Sequence, residues 1–195
     1  MVTTVDFTEN HVTLNLGEMT LTDEQFQQLC TANPDLRIET SPTGELIVMP
    51  PAFLGTSERN SDLTGQIWQW NRRHKLGKVF DSSGGYRLAN GFRPSPDVSW
   101  IQNARLEGLS LNQFLPLAPD FVIELRSSTD RLLPLQQKMQ AYLDNGVRLG
   151  WLLNPQDQQV EVYRLNQEKT VLTAPTSLSG EDVLPGFVLT LEAIW

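Results

Sequence analysis

The sequence predicts an α/β (α+β) fold, a central mixed sheet flanked by helices, and three observations predict it. Phe121-Val122-Ile123-Glu124-Leu125-Arg126 is a near-continuous apolar run of strand length, the pattern of a strand buried on both faces. A helical stripe of Leu135, Met139 and Tyr142 follows it and ends before Gly146. A longer stripe of Leu63, Ile67 and Trp70 precedes a turn-rich, strand-like region. At 195 residues, with no internal repeat, low-complexity segment or linker, one domain over residues 1–195 is expected, with residues 1–20 as an N-terminal arm and edge strand.

The elements follow in order. Residues 1–10 read as a loose arm, and Val12, Leu14 and Leu16 alternate with Thr13 and Asn15 as a short edge strand. Thr22 and Gln25 form a capping-box pattern that opens a helix with Phe26, Leu29 and Cys30 inward, and Asn33-Pro34 ends it. Leu36–Thr40 and Glu45–Met49 are strands around the turn Ser41-Pro42-Thr43-Gly44. The long helix is expected from about Thr56 to Leu76, capped by Thr56 or Ser57 at its start and by Gly77 at its end. Lys78-Val79-Phe80 is a short strand, and Asn90-Gly91 after Tyr86–Leu88 is a hairpin signal. Asp97-Val98-Ser99-Trp100-Ile101 is another strand, residues 102–119 are irregular, and Phe121–Arg126 is the central strand. The next helix spans about Asp130 to Asn145; Pro134 is tolerated only in its first turn. Leu149–Asn154 and Gln159–Arg164 form a hairpin, Thr170–Thr173 adds a strand, and Val183–Phe187 with Leu189–Trp195 close the chain as an apolar tail.

Composition narrows the function classes. With 39% hydrophobic and 19% charged residues, the chain reads as an ordinary soluble globular protein, without an apolar run of membrane-spanning length or a signal peptide. The single cysteine, Cys30, permits no internal disulfide and fits a reduced, cytoplasmic setting. A net charge of −8 argues against a generic nucleic-acid coat while leaving room for a local basic site. No P-loop, dinucleotide-binding glycine motif or Gly-x-Ser-x-Gly elbow is present, and two histidines with one cysteine do not make a structural zinc site.

What remains is a set of carboxylates and a lysine. A Glu inside an apolar strand needs a cation, a metal ion or a proton, because burying an unpaired charge costs several kcal/mol. Alternation puts Val122, Glu124 and Arg126 on one strand face and Phe121, Ile123 and Leu125 on the other, so a Glu124–Arg126 pair is the simplest account. Asp97 opens a second strand, and Lys138 sits on the shoulder of the following helix with its stem able to cover the sheet. Two carboxylates brought together would repel, a hard divalent cation resolves the repulsion, and a lysine beside them can stabilise negative charge in a transition state. Such chemistry suits phosphodiester cleavage. Arg72, Arg73, His74, Lys75 and Lys78, with Trp68 and Trp70 nearby, form the densest basic cluster, fit either to guide a phosphate backbone or simply to complement a helix C-terminus.

Pro96-Asp97 followed by Glu124-Leu125-Arg126 resembles the Pro-Asp…(Asp/Glu)-x-Lys, or PD-(D/E)XK, signature of the restriction-endonuclease-like nucleases. The wider text is similar to one group of them, the Uma-type restriction endonuclease family, long carried as a domain of unknown function. The matching stretches are Ser57-Glu58-Arg59-Asn60, Ser95 to Trp100, Val122 to Ser127, Gln137-Lys138-Met139 with Tyr142, Asn145 to Leu152, and Leu184-Pro185-Gly186-Phe187. The resemblance runs from about Leu21 to Trp195 and implies a restriction-endonuclease-like core. It implies Asp97 and Glu124 as ligands of Mg²⁺ (or Mn²⁺), with the Leu125 carbonyl helping and Glu58 as an outer ligand or a contact to metal-bound water. One departure matters: Arg126 stands where the signature has lysine, and a planar, permanently charged guanidinium does not replace an ammonium. The resemblance therefore implies that Lys138 is the working lysine. Structural alternatives are a helix-start carboxylate for Glu58, a solvated helix lysine for Lys138 and a strand-entry residue for Asp97. The function implied is a Mg²⁺-dependent DNA endonuclease acting as a homodimer, with Arg72, Arg73, Lys75 and Lys78 on the DNA. The competitors are a nuclease-derived nucleic-acid-binding or regulatory protein that does not cut, and a protein–protein interaction module.

Overall fold

The computed structural model describes residues 4–6 and 11–195. The elements are β1 (Thr4–Asp6), β2 (Val12–Asn15), α1 (Asp23–Ala32), β3 (Arg37–Thr40), β4 (Leu46–Met49), α2 (Leu54–His74), β5 (Gly77–Asp81), β6 (Val98–Gln102), α3 (Asn103–Leu106), β7 (Phe121–Leu125), α4 (Leu132–Asp144), β8 (Leu149–Asn154), β9 (Gln159–Arg164), β10 (Thr170–Thr173), β11 (Ser177–Ser179) and β12 (Val188–Thr190). The central sheet has six strands in the order β10-β9-β8-β7-β6-β5. It is mixed because a single pair, β7 with β8, is parallel. That pair is the one joined by a helix, and only a crossover connection can return the chain parallel.

Strand alternation sorts the side chains of β7 onto two cores. Phe121, Ile123 and Leu125 face the layer of α2, where Leu63, Ile67 and Trp70 are buried beside Leu178, Leu184, Phe187 and Leu191 from the end of the chain. Val122 faces the opposite layer, with Met139, Ala141, Tyr142 and Leu143 of α4. Glu124 shares the Val122 face, which aims it at α4.

The structure adds a second sheet that the sequence pattern does not predict. Strands β1-β2-β4-β3 make an all-antiparallel four-stranded sheet. Its face bearing Leu14, Leu16, Ile38, Leu46 and Val48 packs on Phe26 of α1. The capping box of α1 is present as expected, with Thr22 and Gln25 exchanging backbone hydrogen bonds. Within the anticipated loose arm, Thr4–Asp6 pairs as β1, so β2 lies inside the sheet rather than at its edge. The remainder of residues 1–10 lies outside the described residues.

Helix α2 is shifted from expectation at both ends. Its first turn closes through the Ser57 N–H to the Phe53 carbonyl at 2.9 Å, before the Thr56 or Ser57 hydroxyl could cap it. It ends on Lys75 in a left-handed conformation (φ 56°), not on Gly77. Gly77 instead begins β5, where a Cβ would stand 2.2 Å from the Ile101 carbonyl oxygen and 2.5 Å from the Trp100 ring. Asn71 seals this corner: its side chain bonds both backbone groups of Gly77 and accepts from the Trp100 indole.

The Asn90-Gly91 turn forms, with Gly91 at φ 82°, but it opens no strand pair. Leu88 N–H bonds the Phe92 carbonyl and Tyr86 N–H bonds the Pro94 carbonyl; Pro94 and Pro96 have no N–H to extend the ladder. Residues 103–106 of the region expected to be irregular form the short α3, and the apolar tail folds back as the β11–β12 pair.

Gly77→Ala is expected to destabilise the protein by about 1–3 kcal/mol, since the added methyl meets backbone and a fixed indole that cannot yield. Urea unfolding of the two proteins measures it.

Candidate active site

The site is built where β6 and β7 end. Val98 pairs with Ile123, and one step further along this antiparallel register Asp97 stands opposite Glu124. Asp97 Oδ2 accepts the Leu125 N–H at 2.8 Å, and its Oδ1 accepts Asn60 Nδ2 of α2 at 3.1 Å. Glu124 is 3% exposed and receives two donors on the same oxygen, Oε1: the Tyr142 hydroxyl at 2.8 Å and Lys138 Nζ at 3.0 Å. Lys138 and Tyr142 are four residues apart on α4, one above the other on the face turned to the sheet.

The small sheet supplies the rest. Lys138 Nζ also lies 3.0 Å from Glu39 Oε2, and the other oxygen of Glu39 is 3.1 Å from Arg37 NH2. Arg37 NH2 reaches the Ser95 carbonyl at 2.9 Å, two residues before Asp97. Sequence reasoning assigns no part in the site to Arg37 or Glu39, reads Tyr142 as a buried helix residue, and includes Asn60 and Tyr142 only in the stretches that carry the resemblance. A signal exists for the first two, because Arg37 and Glu39 alternate along a short strand and so share a face.

The electrostatics follow from burial. Desolvation pushes the Glu124 carboxyl up to about 7; the Lys138 ammonium opposes this, while Asp97 and Glu39 add to it. Burial likewise raises the Asp97 carboxyl against the pull of the Leu125 N–H. Burial works against the Lys138 charge, but Glu124 and then Glu39 outweigh it and hold the ammonium above the ordinary lysine value. Burial, then the Glu124 charge, keeps Tyr142 protonated far above its ordinary range.

These groups line a cleft of about 1120 Å³ between the second face of the small sheet, α2 as far as Trp68 and the first half of α4. Asp97, Glu124, Leu125, Lys138, Arg37, Glu39 and Asn60 all border it. Glu58 does not: it is exposed on α2, and Asn60 is the residue of that turn that reaches Asp97. Arg126 does not pair with Glu124. Its guanidinium turns to the Asp130 carbonyl, Asn154 and Asp157, where it braces the β8–β9 turn. Arg72, Arg73, Lys75 and Lys78 are exposed and lie off the cleft wall, but Arg72 sits 4.7 Å above the ring of Trp68, which borders the cleft.

The family model described as "Uma2: Putative restriction endonuclease" matches residues 23–192. The chain belongs to this family. A solved structure described as "a putative nuclease belonging to DUF820 from Anabaena variabilis ATCC 29413" shares the fold, with a TM-score of 0.76. That relation covers 89% of this chain and 97% of the other at 21% identity. No curated protein matches the sequence significantly. Fold and family are thus those of restriction-endonuclease-like nucleases, and no helix among the described residues is long and apolar enough to cross a membrane.

In this chain the burial of Glu124 confers a pH dependence. Its folded value near 7 lies above the ordinary 4.5, so between these values the folded chain keeps a proton that the unfolded chain has released. Stability should therefore fall as pH rises through that window, by an amount on the order of 3 kcal/mol, and level off above it. Asp97 adds a change of the same sign. Glu124→Gln should flatten the fall, as urea unfolding without divalent ions at about pH 5 and about pH 8 would reveal.

Proposed function

We propose that the chain is a divalent-cation-dependent endonuclease that hydrolyses phosphodiester bonds in DNA. One observation supports this most: Asp97 and Glu124 stand at adjacent strand ends on the wall of a cleft, with the Lys138 ammonium 3.0 Å from Glu124. Six Asp and Glu residues line that cleft against three Lys and Arg, so a polyanion needs added positive charge to enter it.

The donors fit a hard cation. Among the described residues no cluster of three or more His, Cys, Asp or Glu side chains could hold a metal ion. Asp97, Glu124 and the Leu125 carbonyl would hold Mg²⁺ or Mn²⁺ with water completing the shell, the usual manner for Mg²⁺. Both donors to Glu124 fall on Oε1, which leaves Oε2 for a ligand. Bound there, the cation would polarise a phosphoryl oxygen and acidify a water. The chain itself does the positioning. Asn60 and the Leu125 N–H fix both oxygens of Asp97, and Tyr142 and Lys138 fix Glu124. Lys138 borders the cleft, where its ammonium stabilises charge that develops on the phosphate. One such site cuts one strand, so a double-strand break takes two chains, which is the case for a homodimer.

Cleavage of mixed DNA substrates is expected with Mg²⁺ or Mn²⁺ and not with EDTA. The Asp97→Ala, Glu124→Ala double variant should lose both cleavage and calorimetric metal binding. Lys138→Ala should slow cleavage by about 10²–10³ while leaving DNA affinity nearly unchanged. Salt-dependent DNA binding without cleavage under any divalent ion would favour the non-cutting alternative instead.

The basic cluster has its own signature. If Arg72 and Arg73 meet the backbone beyond Trp68, replacing both with Ala should weaken DNA binding and make the slope of log affinity against log salt shallower by about 0.9 for each phosphate no longer neutralised. An unchanged slope in a filter-binding or fluorescence titration would assign both to the helix end alone.

A further inference from the structure

We infer that Glu39 is a positioning residue that aims the Lys138 ammonium at the substrate, and that Arg37 holds Glu39 in place to do so. The inference rests on the endonuclease reading for what Lys138 does, but its geometry stands on the contacts that Lys138 makes with both sheets. An ammonium has three N–H donors and rotates freely unless they are engaged. Two acceptors at 3.0 Å, Glu39 Oε2 and Glu124 Oε1, occupy two of the three directions. With two corners of a tetrahedral head pinned, the third is fixed, and Lys138 borders the cleft. A single acceptor would leave Nζ able to swing about that one contact on its flexible four-carbon stem.

The two acceptors come from different sheets. Glu124 belongs to β7, and Glu39 to β3, so the ammonium is aimed only when the sheets are correctly packed. Arg37 makes that packing specific. It binds the remaining oxygen of Glu39 and the Ser95 carbonyl, tying β3 to the segment that enters β6 at Asp97. Glu39 is 2% exposed, and its two oxygens are divided between two cations. A glutamine there would offer one acceptor and turn an NH₂ toward a cation.

The test combines kinetics with a direct view of the ammonium. Glu39→Gln should lower kcat by about 10–100-fold, the usual range for a partner that orients a working group, with KM little changed. In a Lys138→Ala background the same substitution should change kcat by less than about twofold, because the residue it acts through is gone. Additive losses would overturn the proposal, since a purely structural role adds. Independently, ¹⁵N-lysine NMR should show the Lys138 ammonium protons exchanging with water about tenfold faster in Glu39→Gln, as loss of one charge-assisted bond implies. Unchanged exchange would overturn the proposal even if the wild type cuts nothing, whereas faster exchange without any cleavage would uphold the positioning and reject the endonuclease reading. Glu39→Asp keeps the charge and draws the oxygens back by one methylene. If Glu39→Gln fails to fold, this variant carries the same exchange and kcat tests, with smaller effects of the same sign expected and their absence overturning the proposal.

Discussion

The shared ammonium of Lys138 is the interaction on which the site depends. It lies 3.0 Å from carboxylates of two different sheets, in surroundings that admit little water. Without it, Glu39 and Glu124 would confront each other and Asp97 across a poorly solvated gap, and the repulsion would be relieved by protonation or by separation of the sheets. Burying such a group of charges is a poor route to stability, because well-packed apolar side chains of similar volume commonly do as well or better. Its presence at the wall of a wide cleft is therefore better explained by chemistry than by folding.

The same interaction explains why a four-stranded sheet is attached to a six-stranded core. One face of the small sheet buries Leu14, Ile38, Leu46 and Val48 against α1, which holds the sheet together. The other face presents Arg37 and Glu39, with Thr13, Ile47 and Met49, to the cleft. Hydrophobic burial on one side thus places charge on the other. The run from the Ser95 carbonyl through Arg37, Glu39, Lys138 and Glu124 to Tyr142 crosses from loop to small sheet, to α4, to the central sheet and back to α4. Removing any member takes a partner from a buried neighbour, which costs more than an exposed bond of the same kind.

Much of this architecture is legible in the sequence because it follows from local rules. The capping box at Thr22, the stripe of Leu63, Ile67 and Trp70, and the unbroken apolar run at Phe121 each depend on spacing alone, and the structure has α1, α2 and β7 there. Strand and helix faces, together with the family pattern, point to the convergence of Asp97, Glu124 and Lys138. What escapes a reading of the sequence depends on contacts between distant positions. The end of α2 on Lys75 rather than Gly77 reflects the crowding of Gly77 against Ile101 and Trp100, residues over twenty positions away. Glu39 is marked locally only by the strand face it shares with Arg37, and the contact that brings it to the site is with a lysine 99 positions later. Arg126 misleads for the opposite reason. It shares the alternation of Glu124, yet it lies past the last residue of β7, where the chain is free to turn its side chain toward Asp157.

That displacement shows how the site keeps a cation without a lysine in the strand. A lysine two residues after Glu124 would approach the carboxylate along the sheet. Here the cation descends from α4, which crosses the same face of β7 and brings a second donor, Tyr142, one helical turn away onto the same oxygen. The helical route changes what surrounds the ammonium. A strand lysine would meet only its own sheet, whereas Lys138 lies between sheets and within reach of Glu39. A cation held on the helix thus lies where the small sheet can bring a second carboxylate to it. The guanidinium of Arg126, just past the strand, braces the β8–β9 turn instead, through Asn154 and Asp157.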